Sequence, residues 1–105
     1  MRTLEFIVDK QRLKKDPKCD FSMIVAGSVK YLKTKFQFSP EWNECKKAVS
    51  FWVGDVENAV VLEENDECFV HEAVCDEKVF KISVTGVRPD GYTITSSKWT
   101  ISQEV

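Results

Sequence analysis

The chain has little glycine, proline and histidine. Among its 105 residues are four glycines, three prolines and one histidine. The glycines stand singly, so no glycine-rich loop is present that would cradle a phosphate group. One histidine and no GxSxG stretch leave little material for acid–base or nucleophilic catalysis. We therefore expect a protein that is not an enzyme and has no catalytic residues.

Long apolar runs are also missing. No segment approaches the roughly 20 apolar residues that a membrane-spanning helix needs. Arg2 and Glu5 interrupt the first residues, which excludes the apolar stretch of a signal peptide there. We expect a soluble protein made for the cytoplasm, with residues 1–105 forming a single domain, because this length suits one hydrophobic core.

The four cysteines show none of the close pairing that is typical of zinc sites. Cys19, Cys45, Cys68 and Cys75 contain no CxxC pair. Without a signal for export we expect these thiols to stay reduced. His71 lies between Cys68 and Cys75, which leaves a metal site or a Cys–His nucleophile as alternatives. Residues three apart on a strand point to opposite faces, so Cys68 and His71 would not meet without a turn between them. We expect buried or half-buried thiols, with no metal and no cofactor.

The net charge of −2 gives no general reason to expect binding to nucleic acid or membrane. Tyr31, Lys33 and Lys35 alternate along one stretch, but this minimal stripe is more typical of a solvated sheet face than of a nucleic-acid site. Acidic residues are concentrated between Asp55 and Glu67. They are most simply read as solvated turns.

Alternation with a period of two dominates the chain. The stretch from Val29 to Phe38 alternates. One face carries Leu32, Thr34, Phe36 and Phe38, and the other carries Tyr31, Lys33, Lys35 and Gln37. VFKISVTG repeats the pattern, with Phe80, Ile82 and Val84 facing inward. Turn signals at Gly54-Asp55, the acidic run and Pro89-Asp90-Gly91 separate such segments. We predict an all-β domain of about 7–9 short strands, an antiparallel sandwich or barrel with no long helix.

The stretch FQFSPEWNEC is either an aromatic binding platform or part of the core. Phe36 and Phe38 share the inward strand face, which favours the core. Ser39 and Pro40 suit the start of a short helical turn. We expect Trp42 to fold back over the same core as a plug, and Cys45 to be a packed, reduced thiol.

Four segments together resemble a known group of domains: LEFIVDKQRL, VKYLKTKFQFSPEWNECKKAVSFW, ECFVHEAV and FKISVTGVRPDGYTITSSKWTISQE. The chain resembles small phage and prophage domains of gut Firmicutes, similar to the immunoglobulin-like N-terminal modules of tail-fibre and baseplate upper proteins. The resemblance runs from Leu4 to Ile101. It is carried by nine residues: Phe36, Phe38, Trp42, Phe51, Cys68, Glu72, Phe80, Val84 and Gly86. Asn43-Glu44 replaces an Asp-Gly pair of that pattern, and His71 replaces a proline.

The resemblance implies a single antiparallel immunoglobulin-like β-sandwich that binds another protein. Its first expected role is a structural or accessory domain of the virion, made in the host bacterial cytoplasm and assembled into the particle. The alternative is a phage-encoded inhibitor of a host defence nuclease, of the anti-CRISPR type, that blocks a DNA-binding groove. The interaction residues predicted for it are the acidic ones: Asp55, Glu57, Glu63, Glu64, Asp66 and Glu67.

A third hypothesis is a carbohydrate-binding module. It would use Trp52 or Trp99, provided that either indole ring is exposed. In every case the expected partner is a protein or a glycan, with no direct binding of nucleic acid and no membrane.

Overall fold

A computed structural model describes all residues 1–105 and shows an all-β chain without an α-helix. The nine strands agree with the predicted number of about 7–9. They are β1 (Arg2–Asp9), β2 (Arg12–Lys15), β3 (Leu32–Phe38), β4 (Lys46–Val53), β5 (Val56–Val61), β6 (Glu67–Phe69), β7 (Val79–Val87), β8 (Thr93–Thr95) and β9 (Trp99–Ser102). Two single 3₁₀ turns, Pro40–Trp42 and Glu72–Val74, interrupt them. None of the helical segments has the length and apolar character to cross a bilayer.

The strands form two sheets. The first has the order β2-β1-β3-β6, and the second has the order β5-β4-β7, with β8 and β9 both pairing with β7. The pair β1–β3 is parallel, in a register that runs from Arg2 opposite Leu32 to Val8 opposite Phe38. The expectation of a purely antiparallel fold is therefore wrong for this pair. Alternation of side chains is the same in both kinds of ladder, so the sequence pattern did not reveal it.

Both sheets contribute to one hydrophobic cluster of 20 buried residues. Phe6 of β1 stacks on Phe36 of β3 with ring centroids 5.3 Å apart. The second sheet adds Phe51 and Phe80, whose rings lie 6.3 Å apart. Burial of each such side chain contributes about 1.5–3 kcal/mol. The predicted inward faces of β3 and β7 are confirmed, although β3 begins at Leu32, three residues later than predicted.

Trp42 closes one end of this core. It follows Ser39 and Pro40 on the first 3₁₀ turn and is completely buried. Its ring lies 5.1 Å from that of Phe38, and its Nε1 donates to the carbonyl oxygen of Lys10 at 2.6 Å. The predicted plug is thus confirmed.

Gly86 of β7 makes room for this plug. A Cβ added at Gly86 would lie 3.0 Å from Trp42 Cε3 and 3.0 Å from the Cβ of Cys45. Cys45 is half-buried and forms no disulfide, as expected of a packed thiol. Close approach of the β7 backbone to the indole therefore requires glycine at position 86.

The loop after Trp42 has a backbone conformation that favours glycine. Glu44 has a φ of 62°, in the left-handed region. Non-glycine residues reach this region at a cost of about 1–2 kcal/mol. The turn after Trp42 is therefore strained at Glu44, and glycine at this position would relieve the strain.

Candidate protein-interaction surface

The acidic residues lie at the two ends of β5. The Gly54-Asp55 turn joins β4 to β5, and the turn containing Glu63 and Glu64 follows β5. Six residues of strand span about 20 Å. Asp55 and Glu57 therefore lie at one end of this strand, and Glu63 and Glu64 lie at the other. The structure does not gather the six predicted residues into one compact patch.

Two of the six carboxylates are neutralised by lysines. Glu67 Oε1 lies 3.1 Å from Lys33 Nζ, and Asp66 Oδ1 lies 3.3 Å from Lys47 Nζ. Such surface pairs contribute at most about 1 kcal/mol each. The first pair also neutralises one of the two lysines in the basic stripe that the sequence shows on β3.

A third carboxylate is engaged by a hydroxyl group. Ser50 Oγ on β4 donates to Glu57 Oε2. Asp55, Glu63 and Glu64 are exposed and form no ion pair. Three free negative charges therefore remain, one at the start of β5 and two after its end.

Strand β5 has an open backbone edge. Leu62 N donates to Lys47 O at 2.9 Å, and in an antiparallel ladder such bonding repeats at every second residue. Val56, Asn58 and Val60 thus direct their backbone groups toward β4. The alternate residues direct theirs away from it, and these groups form no hydrogen bond: Glu57, Ala59 and Val61.

Apart from the charge of Glu57, this edge lacks the usual protection against strand addition. Natural edge strands carry lysine, proline or a β-bulge, or are very short. β5 contains no lysine or proline, and its register with β4 runs unbroken from Val56 opposite Val53 to Val61 opposite Ala48. Val56 and Val61 each keep 64% of their surface exposed. β5 is therefore a suitable template for another strand.

A groove of about 410 Å³ lies between this strand and β6, the edge of the other sheet. Its apolar lining includes five residues from β5, β6 and the segments beside them: Val29, Val60, Val61, Phe69 and Val70. Lys33 and Glu67 lie on its wall with Glu63. The groove thus combines apolar surface with charges of both signs.

The imidazole of His71 forms no hydrogen bond with the thiol of Cys68 or Cys75. His71 Nδ1 accepts from the backbone N of Ala73 at 3.0 Å and so caps the second 3₁₀ turn. Cys75 Sγ lies 3.5 Å from the carbonyl oxygen of His71. Burial raises the pKa of both the Cys68 and the Cys75 thiol. No group of three or more histidine, cysteine or acidic side chains is arranged to hold a metal ion.

Neither Trp52 nor Trp99 has a fully exposed ring. Trp52 is half-buried, its Nε1 donates to Ser83 Oγ at 3.0 Å, and Lys98 Nζ lies 3.9 Å from the ring centroid. Trp99 is half-buried and packs against the core beside Ile82. Each indole ring is therefore only partly exposed, which weakens the carbohydrate hypothesis.

Comparison with known proteins identifies no relative: no family model, no curated protein and no solved structure matches the chain. The resemblance to phage modules therefore stays a prediction. The interaction surface rests on the geometry described above.

Proposed function

We propose that this chain is a non-enzymatic, phage-derived protein-binding module with an immunoglobulin-like β-sandwich. Its role is that of a structural or accessory domain of the virion, in the tail fibre or baseplate. Support comes from two sheets that share one core and from the family resemblance of the sequence.

The open edge of β5 is the observation that favours a docking role. Proteins often bind partners by adding a strand to an exposed sheet edge, where main-chain hydrogen bonds supply affinity. The unpaired groups at Glu57, Ala59 and Val61 form this edge, and Val61 also lines an open groove that contains the exposed Phe69. A surface of this kind suits a permanent neighbour in an assembly.

The test is to quantify the chain in purified phage particles. Virions are washed in high salt and digested, and the amount of this chain is compared with that of a major tail protein by mass spectrometry. A virion component will be present at a fixed ratio to the tail protein. Absence from washed particles would contradict the proposed role.

The second candidate is an inhibitor of a DNA-binding defence nuclease. The exposed charges of Asp55, Glu63 and Glu64 favour it, because carboxylates can occupy sites made for phosphates. It predicts inhibition of DNA cleavage by an RNA-guided nuclease, which weakens as salt rises. Changing these three residues to amides should abolish inhibition, whereas Asp9→Asn on the other sheet should not.

A further inference from the structure

The charges and side chains along the exposed edge of β5 indicate which kind of strand could pair with it. Its three outward residues, Glu57, Ala59 and Val61, present N–H and C=O groups over a length of about 14 Å. An added strand would extend the second sheet from five strands to six. We propose that this edge binds one extended segment of a partner protein, apolar in its middle and basic at both ends.

The basic ends follow from the placement of charge. Asp55 lies just before β5, and Glu63 and Glu64 lie just after it, all exposed and without ion pairs. Between them the edge carries one charge, Glu57, which is already bonded to Ser50. A partner strand with lysine or arginine at each end would meet a carboxylate at both.

The apolar middle follows from the side chains beside the edge. Ala59 is small and exposed at the centre of β5, so it leaves space for a neighbouring strand. Val61 keeps 64% of its surface exposed, and Val60 lines the groove. Cross-strand pairs of β-branched residues stabilise such a contact.

The same charges disfavour a second copy of this chain. Antiparallel self-pairing centred on Ala59 would set Glu57 opposite Val61 and Asp55 opposite Glu63. Like charges directly opposite each other destabilise a strand pair. The acidic residues at the ends of β5 therefore disfavour this pairing with a second copy, while the middle of β5 can still accept a complementary strand.

The inference rests on the proposed protein-binding role, and a synthetic peptide tests it without the natural partner. The probe is a ten-residue peptide with Lys-Arg at each end and three Val-Thr repeats between them. Two control peptides carry Glu-Glu at each end, or a proline in place of the central threonine. Amide chemical shifts of the folded protein are followed by NMR during each titration.

We expect the basic peptide to bind with a dissociation constant on the order of 10–100 μM, as is typical of small contact areas. Shift changes should centre on the amides of Glu57, Ala59 and Val61. Both control peptides should bind at least about tenfold more weakly. Equal binding of the acidic peptide, or changes centred on another strand, would overturn the proposal.

Variants of the protein give an independent test. Asp55→Lys combined with Glu63→Lys should weaken peptide binding about tenfold, whereas Asp9→Lys on β1 should leave it unchanged. Ala59→Pro removes the central outward N–H without removing a bond to β4, and Ala59→Val keeps that donor. Binding should survive in the valine variant and be lost in the proline variant. Unchanged binding in the charge-reversed protein would refute the role of the acidic ends, even if the proline variant failed to fold.

The two proposals can fail separately. If the peptide does not bind but the chain is a fixed component of washed virions, the strand-docking inference is wrong and the structural role stands. If the peptide binds at β5 but the chain is absent from virions, the inference stands and the virion role is wrong.

Discussion

Replacement of Trp42 by alanine should destabilise the fold strongly and should not act through a binding site. Trp42 is completely buried, packs beside Phe38 and hydrogen-bonds to Lys10 O. Removal of a buried tryptophan costs about 3–5 kcal/mol. For a domain of 105 residues this corresponds to a fall in Tm of roughly 15–30 °C.

Urea denaturation followed by far-UV circular dichroism measures this cost. Trp42→Phe separates packing from the hydrogen bond and should cost less than Trp42→Ala. Gly86→Ala should destabilise the wild type by about 1–3 kcal/mol through overcrowding. The same change should cost less in the Trp42→Ala background, because one of its two 3.0 Å clashes is then gone. A loss below 1 kcal/mol for Trp42→Ala would refute the assignment of this residue to the core.

Three further predictions follow from individual side chains. Glu44→Gly should raise the free energy of unfolding by about 0.5–1 kcal/mol in the urea assay, because glycine adopts the positive φ without strain; a lower value would show that the turn is not strained. Cys68 and Cys75 should react slowly with a thiol reagent in the folded protein at neutral pH. Burial raises the pKa of both thiols above the unfolded value, so their contribution to the free energy of unfolding should be fully present below about pH 8.5. This contribution should decline as the pH rises further, which denaturation curves at several pH values would test. Neither the wild type nor Trp52→Ala should bind to a glycan array, because Lys98 and Ser83 already contact the Trp52 ring. Glycan binding by the wild type that is lost in Trp52→Ala would restore the carbohydrate hypothesis.

Much of the core could be predicted from alternation alone. Leu32, Phe36, Phe80 and Ile82 face inward as their spacing indicates, because a strand places alternate side chains on opposite faces. The parallel pairing of β1 with β3 could not be predicted in this way. It depends on how the chain from residue 10 to residue 31 crosses between strands, which side-chain alternation does not encode.

The geometry of the candidate interaction surface could be predicted only in part. The sequence showed the charges of Asp55, Glu63 and Glu64, but not that a whole strand separates them. It also did not show that Asp66 and Glu67 form ion pairs with lysines that are distant in the sequence, since such pairs depend on tertiary contacts. The open edge has one local signal in the sequence: residues 56–61 contain no lysine and no proline.

Hydrogen exchange of the β5 amides tests the central claim most directly, because the docking role requires a free strand edge. In the isolated protein, the amides of Asn58 and Val60 should be protected by β4, whereas those of Glu57, Ala59 and Val61 should exchange rapidly. Equal protection of both sets in a monomeric sample would show that the edge is already covered and would contradict the account.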